Sequence, residues 1–165
     1  MSSELLAQDL SILAVVSHHP KIAPPADELD LSGVLVRTDY SDDARFARVL
    51  ADARHQVGPD PTYAARLLIV DDPRLAGIQP DHLTGLVEVD SFAFVADSQS
   101  MADGTVLVVD LFADSETYLD TFRVAPQGVY AVETNLALAN VDFSEFATLV
   151  DDDGVYRDST DWAAS

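Results

Sequence analysis

The chain contains no cysteine. This excludes disulfides, thiolate nucleophiles and cysteine-ligated zinc or iron–sulfur sites. It is nearly as poor in lysine, since Lys21 is the only one, and 9 Lys+Arg stand against 29 Asp+Glu in 165 residues. The net charge of -20 and the pI near 4.1 leave few cations to replace counterions on a phosphate backbone, so nucleic acid is not expected as a partner. Long apolar runs are missing too. Leu10–Val16 (LSILAVV) is about one-third of a membrane span and follows Glu4 and Asp9, not the basic start of a signal peptide. No membrane partner is expected, and the cytoplasm is the expected compartment.

Motifs of common chemistry are also lacking. There is no GxSxG nucleophile turn, no GxGxxG and no phosphate loop. His18, His19, His55 and His82 lack the HxH or HxxxH spacing of a metal site. Neither catalytic residues nor a bound metal nor a cofactor is expected from these patterns.

Hydrophobic residues make up 48% of the chain, so it can bury a core despite its charge, and its length suits one domain. Residues 1–32 read as an N-terminal helix and a proline-rich arm. Leu5, Leu6, Leu10 and Leu13 mark a helical face over 4–17, and the prolines of HHPKIAPP (His18–Pro25) forbid its continuation. Residues 33–158 form the main domain and 159–165 a tail. The domain opens with a strand at Gly33–Thr38, then a helix over Ser41–His55 with Ser41 as N-cap. Arg66–Val70 (RLLIV) is apolar throughout, which predicts a central strand. A short helix near Pro80–Val87 follows. Strands are expected at Ser91–Ala96, Thr105–Phe112 and Leu119–Val124, the first two joined by a hairpin-like link over Asp97–Gly104. Val129, Val132, Leu136 and Ala139 fall at helical spacing after Pro126. Asp142 with Glu145 resembles a capping box for a last helix at Phe143–Val150, and Val155–Arg157 reads as an edge strand.

This order predicts an α/β (mixed α+β) fold. A single mixed sheet of about five strands ends in a C-terminal antiparallel meander and is flanked by helices.

Acids gather at the predicted strand ends: Asp39, Asp71, Asp72, Asp97 and Asp110. The run LLIVDD (Leu67–Asp72) resembles the start of a phosphoacceptor receiver domain, but no lysine follows position 21 to neutralise a phosphoryl group. A carboxylate site for a divalent cation is the alternative enzymatic reading. The meander counts against it, because antiparallel neighbours send Asp97 and Asp110 to opposite ends of the sheet. Asp110, inside an apolar run, is expected to be partly buried with a donor among Arg37, Arg66 and Arg123. Asp151-Asp152-Asp153-Gly154 resembles part of a calcium loop, but its glycine comes too early and no bidentate glutamate follows.

Several segments together resemble a family of small actinobacterial proteins of unknown function: RTDYSDD (Arg37–Asp43), LLIVDDPRLAGI (Leu67–Ile78), FAFVAD (Phe92–Asp97), VLVVDL (Val106–Leu111), Thr121–Ala147 and DDDGVYR (Asp151–Arg157). The resemblance covers about residues 33–158 and brings no active site with it. It implies that a high-GC genome, not halophilic solvation, accounts for the arginine and aspartate bias.

An acidic chain without catalytic motifs is expected to act through its surface, as a protein-binding module of the immunity-protein or antitoxin kind, with a regulatory or assembly role as the other non-enzymatic alternative. Its expected partner is a basic protein, such as a toxin enzyme that degrades a nucleotide or NAD through a basic cleft. The candidate partner-binding residues are Asp39, Tyr40, Asp71, Asp72, Asp151, Asp152, Asp153 and Trp162, all in turns or the tail.

Overall fold

The structure is a computed structural model and describes residues 33–158, apart from 56, 58, 61–62 and 86–91. It holds a single six-stranded mixed sheet flanked by helices, in the order β2-β1-β3-β4-β5-β6. The expected helix over 4–17, the arm and Trp162 lie outside the described residues.

Strand β1 (Gly33–Arg37) is buried at every position and pairs in parallel with β2 (Leu67–Val70) on one side and β3 (Phe92–Ala96) on the other. Gly33 is needed there for close approach: a Cβ would stand 3.1 Å from both the Glu133 side chain and the Phe94 ring. The apolar run of β2 therefore belongs to an edge strand, which corrects the central position expected for it. The reason lies in what such a run reports. Leu68 packs into the core on one face and Ile69 into the core on the other, so both faces are covered although, among the described residues, only one edge is hydrogen-bonded.

Helix α1 (Asp43–Ala53) presents Phe46, Val49 and Ala53 to the sheet. Its N-cap is Asp42, which accepts the Arg45 N–H at 2.9 Å. Ser41, the expected cap, is already committed: its N–H and hydroxyl both donate to Asp39 Oδ1, at 2.9 and 2.5 Å. Two 3-10 helices follow β2, at Pro73–Leu75 and Pro80–Gly85. Their Leu75 and Leu83, with Ile78 from the loop between them, cover the face formed by Val34, Val36, Ala93, Val95 and Val109.

The link after β3 is not a plain turn. Asp97 and Ser100 cap each other reciprocally and start α2 (Ser98–Asp103), which Gly104 closes in the left-handed conformation at φ 82°. Strand β4 (Val106–Asp110) runs antiparallel to β3, and β5 (Thr121–Val124) antiparallel to β4. Strand β5 begins later than expected because Leu119 takes a left-handed φ of 68°. Helices α3 (Val129–Ala137) and α4 (Phe143–Thr148) join α1 on the second face. There Val129, Val132, Phe143 and Phe146 pack with Leu35, Phe94 and Phe122. Asp142 stands at the N-cap of α4 without a side-chain capping bond, so the expected capping box does not form. Strand β6 (Val155–Tyr156) pairs in parallel with β5 at the far edge.

Candidate functional site at the ends of the parallel strands

From β1 the chain passes through α1 to β2 on one side, then crosses to β3 on the other. Loops leaving neighbouring parallel strands in opposite directions open a crevice beyond the carboxyl ends of those strands. A groove of about 680 Å3 lies there, with Tyr40 and Ser41 from the end of β1, Ile78 and Gln79 from the loop after β2, and Asp97 and Ser98 from the end of β3 among its lining. The Gly77 N–H donates to the Thr38 carbonyl at 2.8 Å and ties that loop to β1.

Arg37, the last residue of β1, organises this end. It is buried, and its guanidinium lies 4.3 Å from the ring centres of both Tyr40 and Phe46. It donates through Nε to the Asp39 carbonyl at 2.9 Å and through a terminal nitrogen to Asp43 at 2.6 Å, and stands 3.6 Å from Asp71. The hydrogen bonds from Ser41 hold the Asp39 carboxyl below the usual carboxylate range. Burial, then the hydrogen bond and charge of Asp71, push the Tyr40 phenol far up, so it stays neutral; its hydroxyl donates to the Arg37 carbonyl at 3.3 Å. Asp72 accepts the Arg74 N–H at 3.0 Å and holds the Arg74 guanidinium at 2.6 Å.

The expected residues Asp39, Tyr40, Asp71 and Asp72 are thus neighbours around the ends of β1 and β2. Asp151, Asp152 and Asp153 do not join them. They sit in the turn before β6, at the opposite edge of the sheet, where Asp151 and Asp153 each hold the Arg157 guanidinium at 2.8 Å. Arg157 holds the Asp153 carboxyl below its ordinary range. Asp152 is exposed.

Asp97 and Asp110 do face opposite ends of the sheet, since β3 and β4 are antiparallel. Asp97 pairs with Arg123 beside the groove. Asp110 is buried as expected, but its donors are not arginines: it accepts the Phe112 N–H at 2.9 Å and the Thr117 hydroxyl at 2.6 Å. The loop after β4 folds back onto the strand it leaves, while Arg37 and Arg123 are committed to other carboxylates. Among the described residues no group of three or more His, Asp or Glu is placed to hold a metal ion. No helix among them is long and apolar enough to cross a membrane.

Two features escape sequence reasoning. Asp43 shares Arg37 with the site while its own side chain is 89% exposed. Glu133, on the buried face of α3, is 2% exposed and leaves Oε1 without a partner. Its position four residues after Val129, inside the apolar face, was the available signal.

Fold and site together define a mixed α/β domain with a groove at its topological switch point, lined by Tyr40, Asp39 and Asp97 among others and flanked by the Arg37 cluster. The chain belongs to the family described as a domain of unknown function (DUF6924), whose model matches residues 32–159. No curated protein matches it. Among solved structures it is similar to prolyl-tRNA synthetase from Cryptosporidium parvum, determined in complex with L-proline and AMP, at 10% identity and a TM-score of 0.47. The likeness covers 72% of this chain and only 23% of that one, and is too slight to bear on function.

Proposed function

We propose that this chain is a cytoplasmic protein-binding module that docks a basic protein partner at the carboxyl ends of β1 and β2. The observation that carries the reading is an imbalance of charge and exposure. The charge of one buried arginine, Arg37, is shared among Asp39, Asp43 and Asp71, and the Asp43 and Asp71 side chains are 89% and 46% exposed. The cation is inside and the carboxylates face outward, so an approaching protein meets negative potential over a rigid frame. Such a surface speeds encounter with a cationic cleft, and half-buried Tyr40 offers an aromatic edge at its centre. An immunity protein or antitoxin covering the basic cleft of a nucleotide-degrading enzyme has these needs, and an actinobacterial source suits the composition.

The test is affinity capture at low salt from the organism that encodes the chain, with the intact protein and with Asp39→Lys/Asp43→Lys as baits. The reading expects one basic protein retained by the former and lost by the latter. Equal retention by both baits overturns it.

A further inference from the structure

A second groove, of about 620 Å3, lies at the opposite end of the sheet. Phe92, Leu136, Val141 and Phe143 contribute apolar walls, and Phe112 forms a rim that is 50% exposed. Leu138, between two lining alanines, is 51% exposed. An apolar concavity with exposed large side chains at its edge is the kind of surface on which another segment can bury apolar area. Glu116 and Asp142 line the same groove and are exposed.

The strand register says what lies within reach. Leu35 pairs with Phe94, so the same register places Gly33 level with Phe92, and Phe92 pairs with Asp110. Gly33 is where the described chain enters the sheet, in one row with two residues of the groove. Two strand spacings, about 10 Å, separate it from the end of β4. Ahead of Gly33 lie residues 1–32, whose apolar positions 6, 10 and 13 share one helical face. The fifteen residues 18–32 can span up to about 50 Å, far more than the gap requires.

We propose that residues 4–17 of this same chain dock in this groove as an amphipathic helix, with Leu6, Leu10 and Leu13 against Phe92, Phe112 and Phe143. The tether decides between this occupant and a separate one. A segment joined by a short linker is present at an effective concentration on the order of millimolar, above that of a dilute partner or a second copy. The inference is independent of the acidic end, which lies across the sheet.

Because the chain has no cysteine, a nitroxide can be placed at will. With the label on Ser144→Cys, at the groove, the backbone amide signals of residues 5–16 lose most of their intensity. With the label on Gln79→Cys, at the other end, they keep it. Leu10→Asp/Leu13→Asp in the labelled Ser144→Cys chain restores the signals while core amides such as those of Phe94 and Val108 stay in place. Undiminished signals with the Ser144 label overturn the proposal, as does loss that survives the double substitution. A mixture of isotope-labelled chain without nitroxide and nitroxide-labelled chain without isotope shows no loss; loss there assigns the groove to a second copy and also overturns it. Hydrogen exchange supplies a check without a label. Phe112→Asp, at a half-exposed position, removes protection of amides 5–16, and unchanged protection contradicts the docking.

Discussion

The guanidinium of Arg37 donates to the carboxylate of Asp43 at 2.6 Å, yet the two side chains differ in exposure, at 6% and 89%. A pair with one member inside and one outside is asymmetric in its energetics. Removing the acid leaves a cation that still has Asp71 and the Asp39 carbonyl. Removing the cation empties the slot between two aromatic rings and frees the carboxylates to repel one another. Arg37→Ala is therefore expected to destabilise the fold by about 2–3 kcal/mol, and Asp43→Asn by less than about 1 kcal/mol. Urea unfolding of the two variants checks the ratio, and equal losses contradict the role given to Arg37.

Glu133 sets a pH dependence of opposite sign to that of most carboxylates. Burial raises its carboxyl from the ordinary 4.5 to about 7, and hydrogen bonds from Thr134 and the Gly33 backbone only partly offset this. The folded state thus binds more protons than the unfolded chain between those values, so this group's contribution falls as pH rises from about 4.5 to 7. Glu133→Gln is expected to be the more stable protein at pH 8, by up to about 3 kcal/mol, with the advantage fading toward pH 4. The difference between wild type and variant across that range isolates the group from other acids. A constant difference contradicts the assignment.

At the other end of the sheet, Asp110 accepts from the Thr117 hydroxyl and the Phe112 N–H inside the turn after β4. Asp110→Ala removes the acceptor of both donors, leaving the Thr117 hydroxyl only its contact with the Ser115 hydroxyl at 2.9 Å, and is expected to cost about 2 kcal/mol, whereas Thr117→Val costs about 1 kcal/mol. Chemical denaturation gives both values. The double variant is expected to lose less than the sum of the two single losses, because they share one bond.

Much of the fold is legible in the residues, because patterning and capping act locally. Runs of apolar residues in the strands, Asp and Pro at element starts, and the antiparallel run from Phe92 to Val124 all leave their marks on neighbouring positions. Strand order does not. The run LLIV looks the same whether one or both of its edges are paired, because its apolar character reflects covered faces. The grouping of Asp39, Tyr40, Asp71 and Asp72 follows from parallel pairing of β1 and β2, which a helix between two strands announces. The separation of Asp151–Asp153 depends on β6 taking the far edge, which no local pattern encodes. A turn signals the exposure of those acids, but not the neutralising reach of Arg157 across the same turn.

The association rate of the captured basic partner, followed by stopped flow across an ionic-strength series, tests the acidic end most directly. Screening shortens the Debye length from about 10 Å at 0.1 M to about 3 Å at 1 M. The rate is expected to fall steeply over that series and to drop about tenfold at low salt in Asp39→Lys/Asp43→Lys. Asp152→Lys, at the far edge, leaves it nearly unchanged, and Tyr40→Ala acts on the dissociation rate instead. A rate indifferent to salt, or one that responds to Asp152→Lys as strongly as to the pair at β1, contradicts the account.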